Sequence, residues 1–300
     1  MASVTHPKKE RIQMMKSNSI AVLADSCNDI PQELLDKYHI YILPLMINYK
    51  DASYRDRVDI TPEQVYERFQ EEIPKTSLPL PETIADTFAK IKADGFDQVI
   101  VSAISSGLSG TCQAIRLLAD DIEDMQIVVI DTLNIAIASG FVALYAAEQI
   151  EAGLPFEEVV SKTQAAVKQS TILFGVGTLE YLMKGGRIGK VSGILGSALN
   201  IKPIISCNED GIYDTVAKVR GRKQSIQKLI DMTREKLGQH KNYYLSICHG
   251  DAYEEMLVMK DQLKDLVAGA KIYAEGQISP VLGVHTGPGL LGIGIMVLDD

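Results

Sequence analysis

The sequence predicts an α/β protein in two parts: a doubly wound, mainly parallel sheet over residues 19–170 and a mixed-sheet α/β domain over residues 171–300. Three observations predict it. The apolar runs of strand length in the first half lack polar alternation, as strands covered on both faces must. Segments with helical spacing separate them, which implies right-handed crossovers between parallel neighbours. After residue 170 the pattern changes, and a hairpin turned at Asp210-Gly211 joins further strand–helix units.

The elements follow in order. Residues 1–18 are polar and partly basic, without the apolar centre of a signal peptide, and are expected as a flexible extension. IAVLAD (20–25), IYILPLMIN (40–48), QVIVSAI (98–104) and QIVVID (126–131) read as strands. Between them, residues 31–38, 61–73 and 81–95 read as helices. The second has either Asp59 or Thr61 as its cap and Pro62 in its first turn, and the third runs from Pro81 to Gly95. CQAIRLLADDI (112–122) has helical spacing. Residues 134–152 form a nearly all-apolar helix, and 155–170 a helix opened by Pro155. In the second part, residues 171–177 read as a strand, 202–219 as the hairpin, 222–237 and 253–266 as helices, and 243–250, 270–276 and 292–298 as strands.

Composition bounds the function. At 46% hydrophobic and 23% charged residues, the chain has the make-up of an ordinary globular protein. A net charge of −9 opposes nucleic-acid binding, which needs a basic face. Cys27, Cys112, Cys207 and Cys248 show no ligand spacing, so neither zinc nor a disulfide framework is expected, and four free thiols suit the cytoplasm. No acidic cluster suggests a metal. Residues 132–147 are too short to span a bilayer, and 276–298 carry Pro280, His285 and Pro288, so they read as a buried loop and strand.

Ligands of open α/β sheets sit beyond the carboxyl ends of the strands. Asp25-Ser26-Cys27 and the heptad SSGLSGT (105–111) fall there, and the loop 74–79 leads into the third helix. The heptad places Ser109, Gly110 and Thr111 near a helix start, where free N–H groups and hydroxyls suit an anion. A serine cap with a glycine turn explains it equally. It lacks the glycine spacing of a dinucleotide fingerprint and the lysine of a Walker loop. Lys184-Gly185-Gly186-Arg187-Ile188-Gly189-Lys190 is a basic glycine-rich loop whose arginine can present a bidentate fork, or is a solvated turn. Gly283-Val284-His285-Thr286-Gly287-Pro288-Gly289 places a histidine between apolar runs, as an anion ligand or as a hydrogen-bonded structural group. His6, His39, His240 and His249 show no such convergence.

Taken together and in this order, Asp25-Ser26, Thr76-Ser77-x-Pro79, the heptad 105–111, Lys184-Gly185-Gly186-Arg187-Ile188 and His285-Thr286-Gly287 resemble the DegV family, whose bacterial members bind long-chain fatty acids. The likeness runs from Ile20 to the C-terminus. It implies a two-domain DegV-like fold with an acyl chain in an internal tunnel. By the same resemblance, Thr76 and Ser109 bind the carboxylate with Arg187 and His285. Ser26, Ser77, Ser106, Gly110 and Thr286 are supporting residues. The implied partner is an ATP-dependent fatty acid kinase subunit that converts the bound acid to acyl phosphate for phospholipid synthesis. This chain would then be a substrate-presenting subunit with no cofactor and no catalytic residue of its own. Two positions depart from the pattern: Leu78, where many relatives have glutamine, and Cys27, in place of threonine or serine.

The physics fits. A carboxylate only accepts hydrogen bonds, so hydroxyl donors suit it. About fourteen methylenes at ~0.8 kcal/mol each contribute on the order of 11 kcal/mol before entropy costs. The tail supplies the affinity and the hydroxyls set where the reactive end stops. Ile135, Phe141, Leu173, Phe174 and Leu195 are candidates to line the tunnel, and periodicity does not choose among them. Two other activities compete. One is a serine hydrolase of acyl esters using Asp25, Ser109 and His285, although no nucleophile elbow is present. The other is a stand-alone phosphoryl-transfer enzyme with His285 as acceptor, although the P-loop lysine is missing.

Overall fold

The computed structural model describes residues 20–194 and 200–298; the extension expected over residues 1–18, and Leu195, lie outside these. The first half contains β1 (Ile20–Asp25), α1 (Gln32–Tyr38), β2 (Tyr41–Leu43), β3 (Met46–Asn48), β4 (Ser53–Arg55), α2 (Pro62–Arg68), β5 (Lys75–Ser77), α3 (Pro81–Ala93), β6 (Gln98–Ala103), α4 (Thr111–Ala119) and β7 (Gln126–Asp131). Four of these strands form a parallel sheet in the order β2-β1-β6-β7. The order reverses between β1 and β6, the position where a doubly wound sheet opens a crevice.

The run 40–48 is two strands rather than one. Pro44 lacks the N–H that would continue the ladder, so β2 ends at Leu43. The chain then crosses into a separate antiparallel sheet, β4-β3-β5. Residues 74–79, read as a loop, contain β5, whose pairing sets Thr76 opposite Ile47. Thr61, not Asp59, caps α2 through a capping box with Gln64, while Asp59 pairs with Arg55. α2 ends at Arg68, five residues short of the expected bound, and a turn follows.

The helix α5 (Ala136–Glu151) is apolar on all sides because it has a sheet on either side. It packs on β1 and β6 and on two strands of a second sheet, β8 (Ser170–Gly175) and β13 (Leu290–Val297). Ile20, Val22, Phe141, Leu144, Tyr244 and Met296 belong to one continuous core there. The approach is close at Gly140, where a Cβ would stand 2.4 Å from Asn28 O. α6 (Phe156–Ala166) lies against α5.

The remaining elements are α7 (Glu180–Lys184), β9 (Ile201–Cys207), β10 (Tyr213–Arg220), α8 (Arg222–Leu237), β11 (Tyr243–Gly250), α9 (Tyr253–Gln262), α10 (Lys264–Gly269), β12 (Ile272–Gln277) and α11 (Pro280–Thr286). The second sheet is mixed and six-stranded, in the order β10-β9-β8-β13-β11-β12, with only β11 and β12 parallel. The β9–β10 hairpin turns through Gly211 at φ 70°, a left-handed position that glycine occupies without strain. Residues 276–298, read as a buried loop and strand, also contain α11. Pro280 starts this helix and Gly287, at φ 67°, ends it. No helix among the described residues is long and apolar enough to cross a membrane.

Candidate functional site

Four segments distant in sequence converge beyond the strand ends at the switch point. β5 contributes Thr76, the turn before α4 contributes Ser109, the loop after α7 contributes Arg187, and α11 contributes His285. All four line one cavity of about 40 Å³ with Leu45, Ile104, Leu108, Ile135, Tyr213 and Leu282. A neighbouring apolar cavity of about 20 Å³ shares Ile135, Tyr213 and Leu282 and continues past Phe174, Cys248 and Ile278. Polar groups therefore stand at one end of an apolar recess.

The polar groups are held in pairs. Thr76 Oγ1 lies 2.7 Å from His285 Nε2. Desolvation of the ring, then the charge of Arg187, lowers the His285 pKa to about 4, so the imidazole is neutral at pH 7. A neutral ring with its proton on Nε2 donates to Thr76 and leaves the threonine proton free for an anion. In this tautomer the bare Nδ1, buried and without a partner among the described residues, carries no proton. Gly185 packs against that nitrogen, where a Cβ would stand 2.2 Å away. In the same cavity lining, Ser109 Oγ lies 2.8 Å from Thr111 Oγ1. With Thr111 donating, the Ser109 proton is also free for an anion. Arg187 is braced by two carbonyls, Nε donating to Leu108 O at 3.3 Å and Nη1 to Gly185 O at 2.8 Å. Its charge faces the cavity without a carboxylate partner among the described residues.

The other residues singled out from the sequence lie elsewhere. Ser26 Oγ accepts from Leu45 N and fixes the corner between β2 and β3. Ser77 points away from Thr76 along β5 and accepts from Asn48. Ser106 is exposed, its N–H on Asp131, and Gly110 precedes α4 with Leu78 over it. Thr286 lines the apolar cavity. Of the tunnel candidates, Ile135 lines both cavities and Phe174 the apolar one, whereas Phe141 and Leu173 line neither. Asp25 clamps the switch point, accepting from Cys27 N and Ile104 N, and burial raises its pKa to about 6. It makes no bond to His285, and His285 bonds Thr76 rather than Ser109, so these three form no hydrolase triad. Among the described residues no group of His, Cys, Asp and Glu can hold a metal.

Asp56 escaped the sequence reading. Its N–H bonds Leu45 O and its Oδ1 accepts from Val281 N, tying the three-stranded sheet to the helix that carries Leu282 and His285. Desolvation, with a smaller push from Asp29, raises its pKa to about 7. A folded pKa above the unfolded 3.8 gives stability that is present below pH 4 and lost as pH rises through 7. Asp56→Asn keeps an acceptor for Val281 and removes the ionisation. The variant should gain stability over the parent between pH 5 and pH 8, on the order of 2–3 kcal/mol. Urea unfolding at both pH values checks this, and equal differences would contradict it.

The model of the family described as "Uncharacterised protein, DegV family COG1307" matches residues 19–298. The chain belongs to the DegV family. A DegV domain-containing protein of Clostridium acetobutylicum is 43% identical over 277 residues, 91% of this chain and 97% of that one. Among solved structures, a DegV family protein from Thermus thermophilus, described by its fatty acid binding, superposes with a TM-score of 0.86 at 28% identity. It covers 93% of this chain and 99% of that one. A stearic acid-binding protein from Eubacterium ventriosum superposes at 0.80 with 29% identity, over 93% and 98%. The parallel sheet and the mixed sheet of this DegV chain are those of these structures.

Proposed function

We propose that this protein binds a long-chain fatty acid, with the carboxylate on Thr76 and Ser109 and the tail in the recess beyond Leu282. The observation that carries the reading is the convergence of two hydroxyls and one arginine at the mouth of an apolar recess. The Thermus and Eubacterium relatives, described by fatty acid and stearic acid binding, support it. Residues 19–170 and 171–300 act as two α/β domains that meet at the ligand. At ~10–15 Å³ each, the cavities hold only about four to six waters, so Leu282 and its neighbours part to admit a chain.

The protein then presents the carboxylate to an ATP-dependent kinase subunit in the cytoplasm, giving acyl phosphate for phospholipid synthesis. The partner supplies the catalysis, and this chain uses no cofactor. Neutral His285 and cationic Arg187 suit this role, because they hold an ionised carboxylate without protonating it and so leave it nucleophilic toward a phosphoryl group. Solvent extraction of the purified protein followed by mass spectrometry should release a long-chain acid. Release of none, together with no binding of added oleate, would contradict the reading.

A further inference from the structure

A third cavity, about 350 Å³, lies at the carboxyl ends of β11 and β12. Its size is that of small-molecule sites, ~300–1,000 Å³. Cys248 and Ile278 wall both this chamber and the apolar recess, so it adjoins the recess at the end away from Thr76. Along α11, Ser279 and His285 are separated by about 9 Å of helical rise, with Leu282 between them. A tail of about fourteen methylenes outruns that distance.

The chamber carries charged and polar side chains among its apolar ones, where a blind hydrocarbon tunnel would carry none. Asp29, Arg57 and Ser279 all line it, and one polar atom of each (Asp29 Oδ2, Arg57 Nη1 and Ser279 Oγ) is buried without a hydrogen-bond partner among the described residues. The Ser279 side chain is near enough to influence the Asp29 carboxyl but stands outside hydrogen-bond geometry. The groups are held in place from behind: Asp29 Oδ1 accepts from Ser279 N at 2.9 Å, and Arg57 Nη2 donates to Ile30 O at 2.8 Å. Asp29 and Arg57 both sit at positive φ, 47° and 61°, a conformation that costs a non-glycine residue energy and gathers at ligand sites.

The donor and acceptor set selects a chemical group. Arginine only donates, a carboxylate only accepts, and serine does both. A hydroxyl, which both accepts and donates, is the group that suits an arginine N–H and a carboxylate oxygen together. A second carboxylate would face Asp29 and, at the rim, Glu63 and Glu275. A methyl terminus would leave all three groups unmatched.

We propose that this chamber receives a hydroxylated far end, so that the ligands of this protein include long-chain acids bearing a hydroxyl at or near the ω carbon. The inference rests on the fatty-acid reading above. Isothermal titration of palmitate and ω-hydroxypalmitate tests it on the parent protein, Arg57→Met and Ser279→Ala. The parent should bind the hydroxy acid within about tenfold of palmitate, since a hydroxyl buried without partners forfeits ~5–150-fold. Each variant should weaken the hydroxy acid more than palmitate, by about tenfold for Arg57→Met. Ser279→Ala decides by the same comparison if Arg57→Met does not fold. A parent that binds palmitate but rejects the hydroxy acid by more than about tenfold overturns this inference alone, as do variants that shift both acids equally. A parent that binds neither overturns the fatty-acid reading and this inference with it.

Discussion

Leu282→Trp is expected to lower the affinity for oleate by a thousandfold or more while the protein stays folded. Leu282 walls both the polar cavity and the apolar recess, so an indole there blocks the tail while Thr76, Ser109 and Arg187 stay in place. If half of the chain is kept out, about seven methylenes at ~0.8 kcal/mol each are lost, roughly 6 kcal/mol. Overpacking costs the fold itself about 1–3 kcal/mol, which thermal unfolding can separate from ligand loss. Ile135→Trp, at another residue that lines both cavities, should act in the same direction. Oleate affinity within threefold of the parent in both folded variants would show that the tail runs elsewhere.

Thr76→Val should weaken oleate by about 10–150-fold and, if the proposed kinase partner acts on the bound acid, slow acyl phosphate formation. The substitution keeps the shape but removes a charge-assisted donor, worth roughly 1.5–3 kcal/mol. It also strands His285 Nε2, whose bond is to the Thr76 hydroxyl. Thr76→Ser should restore most of the loss, which separates the hydroxyl from a packing effect. Ser109→Ala should act in the same direction, since Thr111 holds that hydroxyl in the same cavity lining. Parent-like phosphorylation by Thr76→Val would remove these hydroxyls from the head-group site.

Much of the fold was legible because its signals are local. The uniform apolarity of 20–25 and 98–104 marked strands covered on both faces, whereas 126–131, equally apolar, is the edge strand of its sheet and only partly buried. The sheets on either side of α5 explain its lack of a polar stripe. What was missed depends on context beyond the segment. Residues 40–48 read as one strand because their apolarity continues past Pro44, yet the ladder breaks at the missing N–H. α11 was hidden because Gly283 and apolar residues on every face leave no helical period to see. With that helix in view, Leu282 and His285 fall on one face, three residues apart.

The site was legible as a set of residues rather than as a geometry. Thr76, Ser109, Arg187 and His285 came from the resemblance to the DegV family. Their spacing alone left cap, turn and anion readings open. The pairing of Thr76 with His285 joins residues 209 apart in sequence, and that of Asp56 with Val281 joins residues 225 apart. Nothing in either segment announces its partner. The chamber at Asp29, Arg57 and Ser279 escaped notice for the same reason, since three separate turns build it.

A crystal structure of the protein with oleate tests the central claim most directly. The account predicts carboxylate oxygens within hydrogen-bond distance of Thr76 Oγ1 and Ser109 Oγ, with the hydrocarbon passing between Ile135 and Leu282 toward Cys248. Oleate seated elsewhere, or bound with its carboxylate away from both hydroxyls, would contradict it.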